Sequence, residues 1–274
     1  MNKMMHKNRM PWKAYGYVYK MRILKMLAYK FDVYGNIIMQ CIIMFASAFF
    51  WKALYGAEGK VQGVGVDTML VYTVVSSMMS VLFMTGVEQR VLQSVEKGTV
   101  ATDMLKPVSL FGIYFFEDLG TVTALIFQNI LPIFLIGSVC IAIPLPVSPN
   151  LSGLFCLSLS MAFFINWLLA ACFSMWAFTA INMDPLIQVK KHLLRLLSGS
   201  IIPMWFFPEW MEKLLNLLPF VYIYQLPLDI YINKHSQEIL LGKMIMQFLW
   251  VVILLVLFLY LQKRTVKKVL VQGG

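Results

Sequence analysis

The stretch from Leu119 to Met183 constrains this chain most, because it contains no Asp, Glu, Lys, Arg or His. The hydrocarbon core of a bilayer is about 30 Å thick, and about 20 apolar helical residues cross it. The stretch is therefore long enough for two crossings. Its one clear break is the proline-rich segment 144–150, since proline removes a backbone donor and fixes φ. The stretch predicts two membrane-spanning helices joined by a short turn.

The composition places the whole chain in the same class. Hydrophobic residues make up 60% of the chain and charged residues 13%, whereas about 25% of a typical globular domain is charged. The net charge of +10 does not indicate nucleic-acid binding, because the basic residues lie near the ends of apolar runs and form no surface stripe. We therefore expect an all-α polytopic membrane protein with no nucleic-acid partner.

The apolar runs predict six spans, and shorter patterns predict three further helices. Residues 12–30 combine aromatic and basic residues and are typical of an amphipathic helix on the cytosolic membrane face. The alternative is a plain cytosolic extension of the first span. Residues 207–231 are interrupted by prolines and predict short helices at the outer surface, too short to cross. The expected spans are 32–55, 67–90, 118–143, 151–182, 187–206 and 243–262.

The distribution of basic residues predicts the orientation. Cytosolic loops are enriched in Lys and Arg, and the first 30 residues contain several of these and no acid. With six spans, both termini lie in the cytosol. Of the 23 Lys and Arg residues, five then fall on the outer side: Lys52, Lys60, Lys213, Lys234 and Lys243.

Small hydroxyl side chains lie on one face of the second predicted span. Such a face favours close helix contact in lipid, but it is also typical of the wall of a transport path. Both interpretations remain open from the sequence. The residues are Thr73, Ser76, Ser77 and Ser80.

Motifs for enzyme chemistry are absent from the sequence. It contains no G-x-x-x-x-G-K-[ST] phosphate loop, no H-E-x-x-H and no G-x-S-x-G. The His and Cys residues are too isolated to predict a metal site. We expect no Asp, Glu, Lys or Arg near the middle of a span, with Lys190, Lys191 and Arg195 marking the inner end of the fifth, and this argues against an ion-coupled carrier. We expect no cofactor on this chain, so any ATP must be hydrolysed by another polypeptide.

Two segments together resemble the type-2 ATP-binding-cassette (ABC) exporter permeases. The first is Ser198-Gly199-Ser-Ile-Ile-Pro203 followed by Pro208-Glu-Trp210 and, after a short amphipathic run, Pro219-Phe220. The second is the loop Gly98…Asp103-Met-Leu-Lys-Pro-Val-Ser109, which is similar to the corresponding loop of a bacterial branch of that family. The six-span layout matches over essentially the whole chain.

The resemblance implies roles for these segments. The loop 93–110 would be a coupling helix on the ATPase, residues 12–30 the connecting helix, and 207–231 an external re-entrant cap. Spans two and five would face their counterparts across a dimer and line the path. The residues that this assigns to coupling are Glu96, Gly98, Asp103, Leu105, Lys106 and Pro107, and those of the family motif and cap are Ser198, Gly199, Pro203, Pro208, Trp210 and Pro219.

The resulting hypothesis is a permease subunit in a bacterial plasma membrane. It would pair with a second copy or a related permease and bind two copies of a cytosolic ATPase, which would hold the ATP and Mg. The cargo would be an amphipathic or hydrophobic compound, such as a drug, an antimicrobial peptide or a lipid-like molecule. The alternatives are an ATP-independent facilitator or scaffold, and a membrane enzyme that would use polar residues such as Asn166 or Asn182, which we interpret as packing or boundary residues.

Overall fold

The computed structural model describes residues 12–28, 30–56, 60–61, 63–104, 108–141, 149–178 and 183–272. These residues are helical almost throughout, which confirms the all-α prediction, and a small antiparallel hairpin of β1 (Lys60–Val61) and β2 (Val64–Gly65) interrupts them. The helices are α1 (Trp12–Ala28), α2 (Lys30–Tyr55), α3 (Val66–Leu82), α4 (Val87–Glu96), α5 (Val100–Met104), α6 (Leu110–Leu125), α7 (Leu131–Ile141), α8 (Pro149–Ser174), α9 (Asp184–Leu197), α10 (Glu209–Asn216), α11 (Gln225–Tyr231) and α12 (Gln237–Gln272).

Five helical segments of the described residues are long and apolar enough to cross a membrane. They correspond to the first, second, third, fourth and sixth predicted spans. Their bounds are Val33–Tyr55, Val66–Glu96, Leu110–Val139, Pro149–Phe178 and Gln237–Thr265.

The third span begins earlier than the predicted residue 118. Helix α6 begins at Leu110, where the Ser109 hydroxyl accepts a hydrogen bond from the Gly112 amide at 3.3 Å. Asp118 lies inside this helix because its carboxylate is paired with Arg90 and accepts a hydrogen bond from the Trp167 indole at 3.0 Å. Asp118, at which the predicted third span began, is thus neutralised within the bundle.

A π-helical segment, Ile126–Ile130, separates α6 from α7 in this third span. Pro132 follows it and has no N–H to donate to the carbonyl of Gln128, so the regular ladder of hydrogen bonds is interrupted there. The turn predicted at 144–150 falls largely in residues 142–148, which lie outside the described residues.

The second span contains a break that the sequence did not indicate. Helix α3 ends at Leu82, and α4 begins at Val87 after a short non-helical stretch that contains Gly86. The amide of Gly86 donates to Asp118 at 3.0 Å, so the break is held against α6. Helix α4 then continues to Glu96, beyond residue 93, where the coupling loop was predicted to begin.

The prediction of one helix over 187–206 is wrong in its extent. Helix α9 has 14 residues and ends at Leu197, because Gly199 adopts a φ of +83° and Pro203 follows. Beyond Pro203 the chain forms only a short 3₁₀ turn, Met204–Phe206.

The segment 184–206 nevertheless contacts α4, α3 and α2 in turn. At one end the Gln89 amide donates to Asp184 at 3.1 Å. Midway the Ser76 hydroxyl donates to the Ser200 carbonyl at 2.7 Å. At the other end Phe206 stacks on Trp51, near the end of α2, with 5.3 Å between ring centroids.

Helix α1 packs along α6. Tyr15 stacks on Phe116 at 4.9 Å, and Tyr19 donates to Thr123 at 3.1 Å. The opposite side of α1 is exposed and mixes apolar with basic residues, including Tyr17, Met21, Leu24, Lys13 and Lys20.

The two short helices predicted within 207–231 are present, but their environments differ. Helix α10 leaves Trp210 67% exposed. Helix α11 lies inside the bundle, in contact with α3, α8 and α12, and every residue from Gln225 to Ile230 is buried.

Candidate functional site

A cavity of about 850 Å³ lies between α2, α3 and α9. It brings together the hydroxyl face of the second predicted span and the helix of the fifth. Its lining includes, on α2 and α3, Phe50, Trp51, Thr73, Ser76, Ser77 and Ser80, and on α9 and beyond it, Lys190, Lys191, His192, Arg195, Ser200 and Ile201.

The four hydroxyl residues predicted on one face all line this cavity, but they make different contacts. Thr73, Ser77 and Ser80 donate to carbonyls of their own helix, at 2.8, 2.7 and 2.6 Å. Ser76 is buried and donates to the Ser200 carbonyl. Ser76 therefore makes the helix-to-segment contact that one interpretation predicted, and the other three side chains form a polar wall of the cavity.

A glutamate of α4 and basic residues of α9 supply the charged groups of the cavity. Glu88 is only 1% exposed and forms an ion pair with Lys190. Lys191, His192 and Arg195 follow along α9 and line the same cavity. Phe50, Trp51 and Ile201 form an apolar part of the lining, here called the apolar end, where Trp51 stacks on Phe206.

The first half of the sequence motif lies beside the cavity, and its residues Ser200, Ile201 and Ile202 line it. Ser198 is fully buried, and its carbonyl accepts a hydrogen bond from the Gln225 amide at 3.1 Å. The Gly199 carbonyl accepts from the Tyr72 hydroxyl at 2.6 Å. A Cβ at Gly199 would lie 2.5 Å from Oε1 of Gln225, so glycine is required here both by space and by its positive φ. Pro203 is buried immediately before the 3₁₀ turn.

The second half of the motif lies around α10. The Pro208 carbonyl accepts hydrogen bonds from the amides of Met211 and Glu212, which starts the helix. Trp210 points outwards, whereas Pro219 is buried. The motif residues therefore do not form one cluster: Ser198 and Gly199 join α9 to α11, and Pro208 and Trp210 shape the exposed helix.

Asp229 is the centre of a buried polar network that the sequence analysis missed. It is 1% exposed, accepts a hydrogen bond from Gln225 Nε2 at 2.7 Å, and lies 3.5 Å from Lys243 Nζ and 3.7 Å from His235 Nε2. Oε1 of Gln225 also accepts from the Tyr72 hydroxyl at 2.9 Å, which connects the network to the cavity wall. One signal was available, because Asp229 is the only charged residue between Lys213 and Lys234.

Burial changes the proton affinities of this network. It raises the pKa of Asp229, while Lys243, His235 and the hydrogen bond from Gln225 act in the opposite direction. It lowers the pKa of Lys234, whose ammonium lies 3.3 Å from the centroid of the Trp205 ring, to about 8. The pKa of His235 is lowered by burial and by the neighbouring Lys243.

A second charged cluster was also missed, near the junction of α4 and α6. Arg90 pairs with Asp118 and lies 3.3 Å from Glu117. Its guanidinium also donates to the Tyr114 carbonyl at 3.2 Å. These contacts fix α4, and with it the start of the predicted coupling loop, against α6.

The described part of the predicted coupling loop is a compact turn between two helices. Gly98 has a φ of +66°, which lets the chain reverse after Glu96, at the end of α4. The Ser94 hydroxyl donates to Asp103 Oδ2 at 3.1 Å and so holds α5 against α4. Three of the predicted coupling residues, Leu105, Lys106 and Pro107, lie outside the described residues.

Within the part of the chain that the structure describes, no group of three or more His, Cys, Asp or Glu residues could hold a metal ion. Asn166 has a packing contact, because its side-chain amide donates to the Phe83 carbonyl at 2.9 Å. Asn182 lies outside the described residues.

A family model described as ABC-2 family transporter protein matches residues 41–273, which is most of the chain and includes the cavity, the motif and the buried network. A search of curated proteins finds no match.

Proposed function

Because this chain belongs to the ABC-2 family of transporter proteins and is a permease subunit of an ABC transporter, we propose that it exports an amphipathic or hydrophobic compound. Family membership also implies an ABC ATPase as partner and a dimeric permease. The observation that carries the proposal is the cavity between α2, α3 and α9, which combines a polar wall with an apolar end. Such a surface suits a compound that has both kinds of group.

We infer that the chain crosses the membrane six times, with residues 184–206 as the fifth crossing. The contacts of this segment support the inference, since it begins beside Gln89 and ends beside Trp51. Helix α9 alone rises about 21 Å, and the irregular residues after Leu197 continue in the same direction. Two backbone carbonyls of this non-helical stretch, those of Gly199 and Ser200, accept hydrogen bonds from α3, as non-helical segments at membrane depth require.

The transported compound would pass between two permeases, each contributing α3 and α9. The second permease would be another copy of this chain or a related one. The membrane would be a bacterial plasma membrane, and both termini would be cytoplasmic. The proposal assigns no cofactor to this chain. The ABC ATPase would hold the ATP and Mg.

The turn between α4 and α5 would transmit ATP hydrolysis to the membrane helices. Its tie through Ser94 and Asp103 gives it a defined shape. Its support by Arg90, Asp118 and Glu117 connects it to α6 rather than leaving it as a loose connector. Glu96, Gly98, Leu105, Lys106 and Pro107 complete the proposed ATPase contact.

The proposal is tested by co-expressing the chain with the ATPase encoded beside it and reconstituting the pair in liposomes. Replacing Asp103 with Ala and Lys106 with Gln should lower ATPase stimulation and transport by about tenfold or more, while the permease remains folded. The matched control is Thr102→Ala, because the Thr102 hydroxyl is exposed and bonds only within the turn, to the Thr99 carbonyl at 2.7 Å. Unchanged ATPase binding and turnover in the double variant would leave this turn as a connector. Solute movement without nucleotide or ATPase would instead identify a facilitator.

A further inference from the structure

The distribution of charge in the cavity identifies a substrate class more closely than its amphipathic character does. We propose that the cavity binds an anionic amphiphile, with its acid group at Lys191 and Arg195 and its apolar chain towards Phe50 and Trp51. This inference rests on the proposed function, since it concerns the cargo of the same cavity.

The cavity carries uncompensated positive charge. Among the described residues that line it, Glu88 is the one acid, and it is already paired with Lys190. Lys191 is close enough to Glu88 to affect it electrostatically, but the ion pairs among the described residues include neither Lys191 nor Arg195. Two basic side chains are thus available to a ligand.

These two side chains are placed to act together. They are four residues apart on α9, so they lie on the same face of the helix, about 6 Å apart along its axis. Both line the cavity. A guanidinium beside an ammonium suits a carboxylate, phosphate or sulfate group, since each forms charge-assisted hydrogen bonds with both.

The hydroxyl groups of α3 that line the cavity do not donate hydrogen bonds to an anion. Thr73, Ser77 and Ser80 already donate their protons to carbonyls of α3. Their oxygens can accept from neutral hydroxyl or amide groups of a ligand. The basic residues on α9 therefore decide the charge that this cavity accepts.

The apolar end lies on the far side of Ser200 from these bases. Arg195 precedes Ser200 by five residues, and the chain continues from Ser200 through Ile201 to Phe206, which stacks on Trp51. Phe50 and Trp51 form the wall there. A ligand with its acid at Arg195 would place its chain along this wall, and the volume of about 850 Å³ is within the usual range of about 300–1,000 Å³ for ligand sites.

The test measures binding to the purified full chain in phosphatidylcholine nanodiscs, without nucleotide or ATPase. The probes are three photoactivatable compounds with the same 18-carbon chain: a carboxylic acid, an alcohol and an amine. We expect the acid to bind about tenfold or more tightly than the other two, because hydrogen bonds between charged groups are the stronger kind. Cross-linked peptides should include Phe50–Trp51 or Ile201.

Variants separate a specific site from general attraction to a basic protein. Lys191→Gln combined with Arg195→Gln should reduce binding of the acid to that of the alcohol, and Lys191→Arg with Arg195→Lys should retain it. Lys263→Gln with Arg264→Gln is the matched control, since it removes two charges from exposed positions of α12 outside the cavity lining. Equal binding of all three probes, an unaffected glutamine pair or an equal loss in the control would overturn the proposal.

A second arm identifies the source of the amphiphile. Phosphatidylglycerol added to the nanodiscs would displace the acid probe if the natural ligand is a membrane lipid, and it would leave the probe bound if the site selects a single-chain compound. Either result supports an anionic ligand. Because no ATPase is present, a failure here is separate from a failure of the coupling experiment above.

Discussion

At the scale of single residues, the pair of Asp229 and Lys243 carries the clearest pH dependence. Lys243→Gln removes the principal cation beside a carboxylate that is almost fully buried. An uncompensated buried charge costs about 3–5 kcal/mol of unfolding free energy, less here because Asp229 can take up a proton. We expect a lower apparent melting temperature for the detergent-solubilised variant, with the largest loss near pH 8 and a smaller loss near pH 5.5.

The sign follows from the proton affinity of Asp229. Burial raises its pKa above the value in the unfolded chain, so the folded protein bears the cost of the charged carboxylate above that raised pKa and is relieved of it as the pH falls. Removing Lys243 raises this pKa further and favours a protonated His235. Lys213→Gln is the control, because that side chain is 81% exposed. A loss that is the same at both pH values would contradict this assignment.

Gly199 gives a second prediction at this scale. Gly199→Ala places a Cβ against Gln225 and imposes a φ of +83° on alanine, which costs about 1–3 kcal/mol. We expect a fall in thermal stability together with weakened packing of α11, read as faster hydrogen exchange of residues 225–231. Gly153→Ala in α8 is the control, because nothing lies within 4 Å of its added Cβ and alanine favours a helix.

The sequence predicted some of the site at this scale and missed the rest for a physical reason. Thr73, Ser76, Ser77 and Ser80 were found because they repeat within one helix. The pairing of Asp229 with Lys243 was not found, because it joins two helices whose relative rotation depends on tertiary packing. An acidic residue isolated in an apolar run predicts that a basic residue neutralises it, but the sequence does not identify that residue.

At the scale of elements, the close approach of α1 to α6 depends on a glycine. A Cβ at Gly120 would lie 2.8 Å from the backbone oxygen of Tyr19. Gly120→Ala should therefore push α1 away and break the hydrogen bonds of Tyr19 to Thr123 and of Arg22 to Thr121. We expect faster hydrogen exchange across residues 12–28 by mass spectrometry, with little change in α8.

The control for this prediction is Gly16→Ala, which lies within α1 itself. Nothing lies within 4 Å of a Cβ at Gly16, and the change favours the helix by about 1 kcal/mol. Exchange in α1 should then slow or stay the same. If both variants behaved alike, the contact of α1 with α6 would not be what orders this helix.

Helix ends were the least predictable elements, and each error has a local cause. The third span begins at Leu110 because Arg90 neutralises Asp118. Helix α9 ends at Leu197 because of the glycine and proline that follow, although the apolar run continues. Hydropathy measures how apolar a run is, and it carries no information on whether a charge is paired or where the backbone turns.

At the scale of the whole molecule, five long apolar helices and one irregular segment must be arranged across a bilayer. Five crossings would put the two termini on opposite sides, whereas six would put them on the same side. Six crossings are favoured by the contacts of residues 184–206, which begin at Gln89 on α4, continue at Ser76 on α3 and end at Trp51 on α2. The excess of Lys and Arg on the predicted inner side agrees with this count.

Labelling of single cysteines decides between the two arrangements. The four native cysteines are replaced by alanine, and one cysteine is introduced at exposed Glu209 in α10 or at exposed Lys263 near the end of α12. With six crossings, a membrane-impermeant maleimide should label Glu209→Cys in intact cells and Lys263→Cys only after permeabilisation. Glu58→Cys, in the first outer loop that the sequence predicts, serves as the reference for external labelling. Labelling of Lys263→Cys from outside would reverse the last crossing, and protection of Glu209→Cys would mean that residues 184–206 turn back within the membrane.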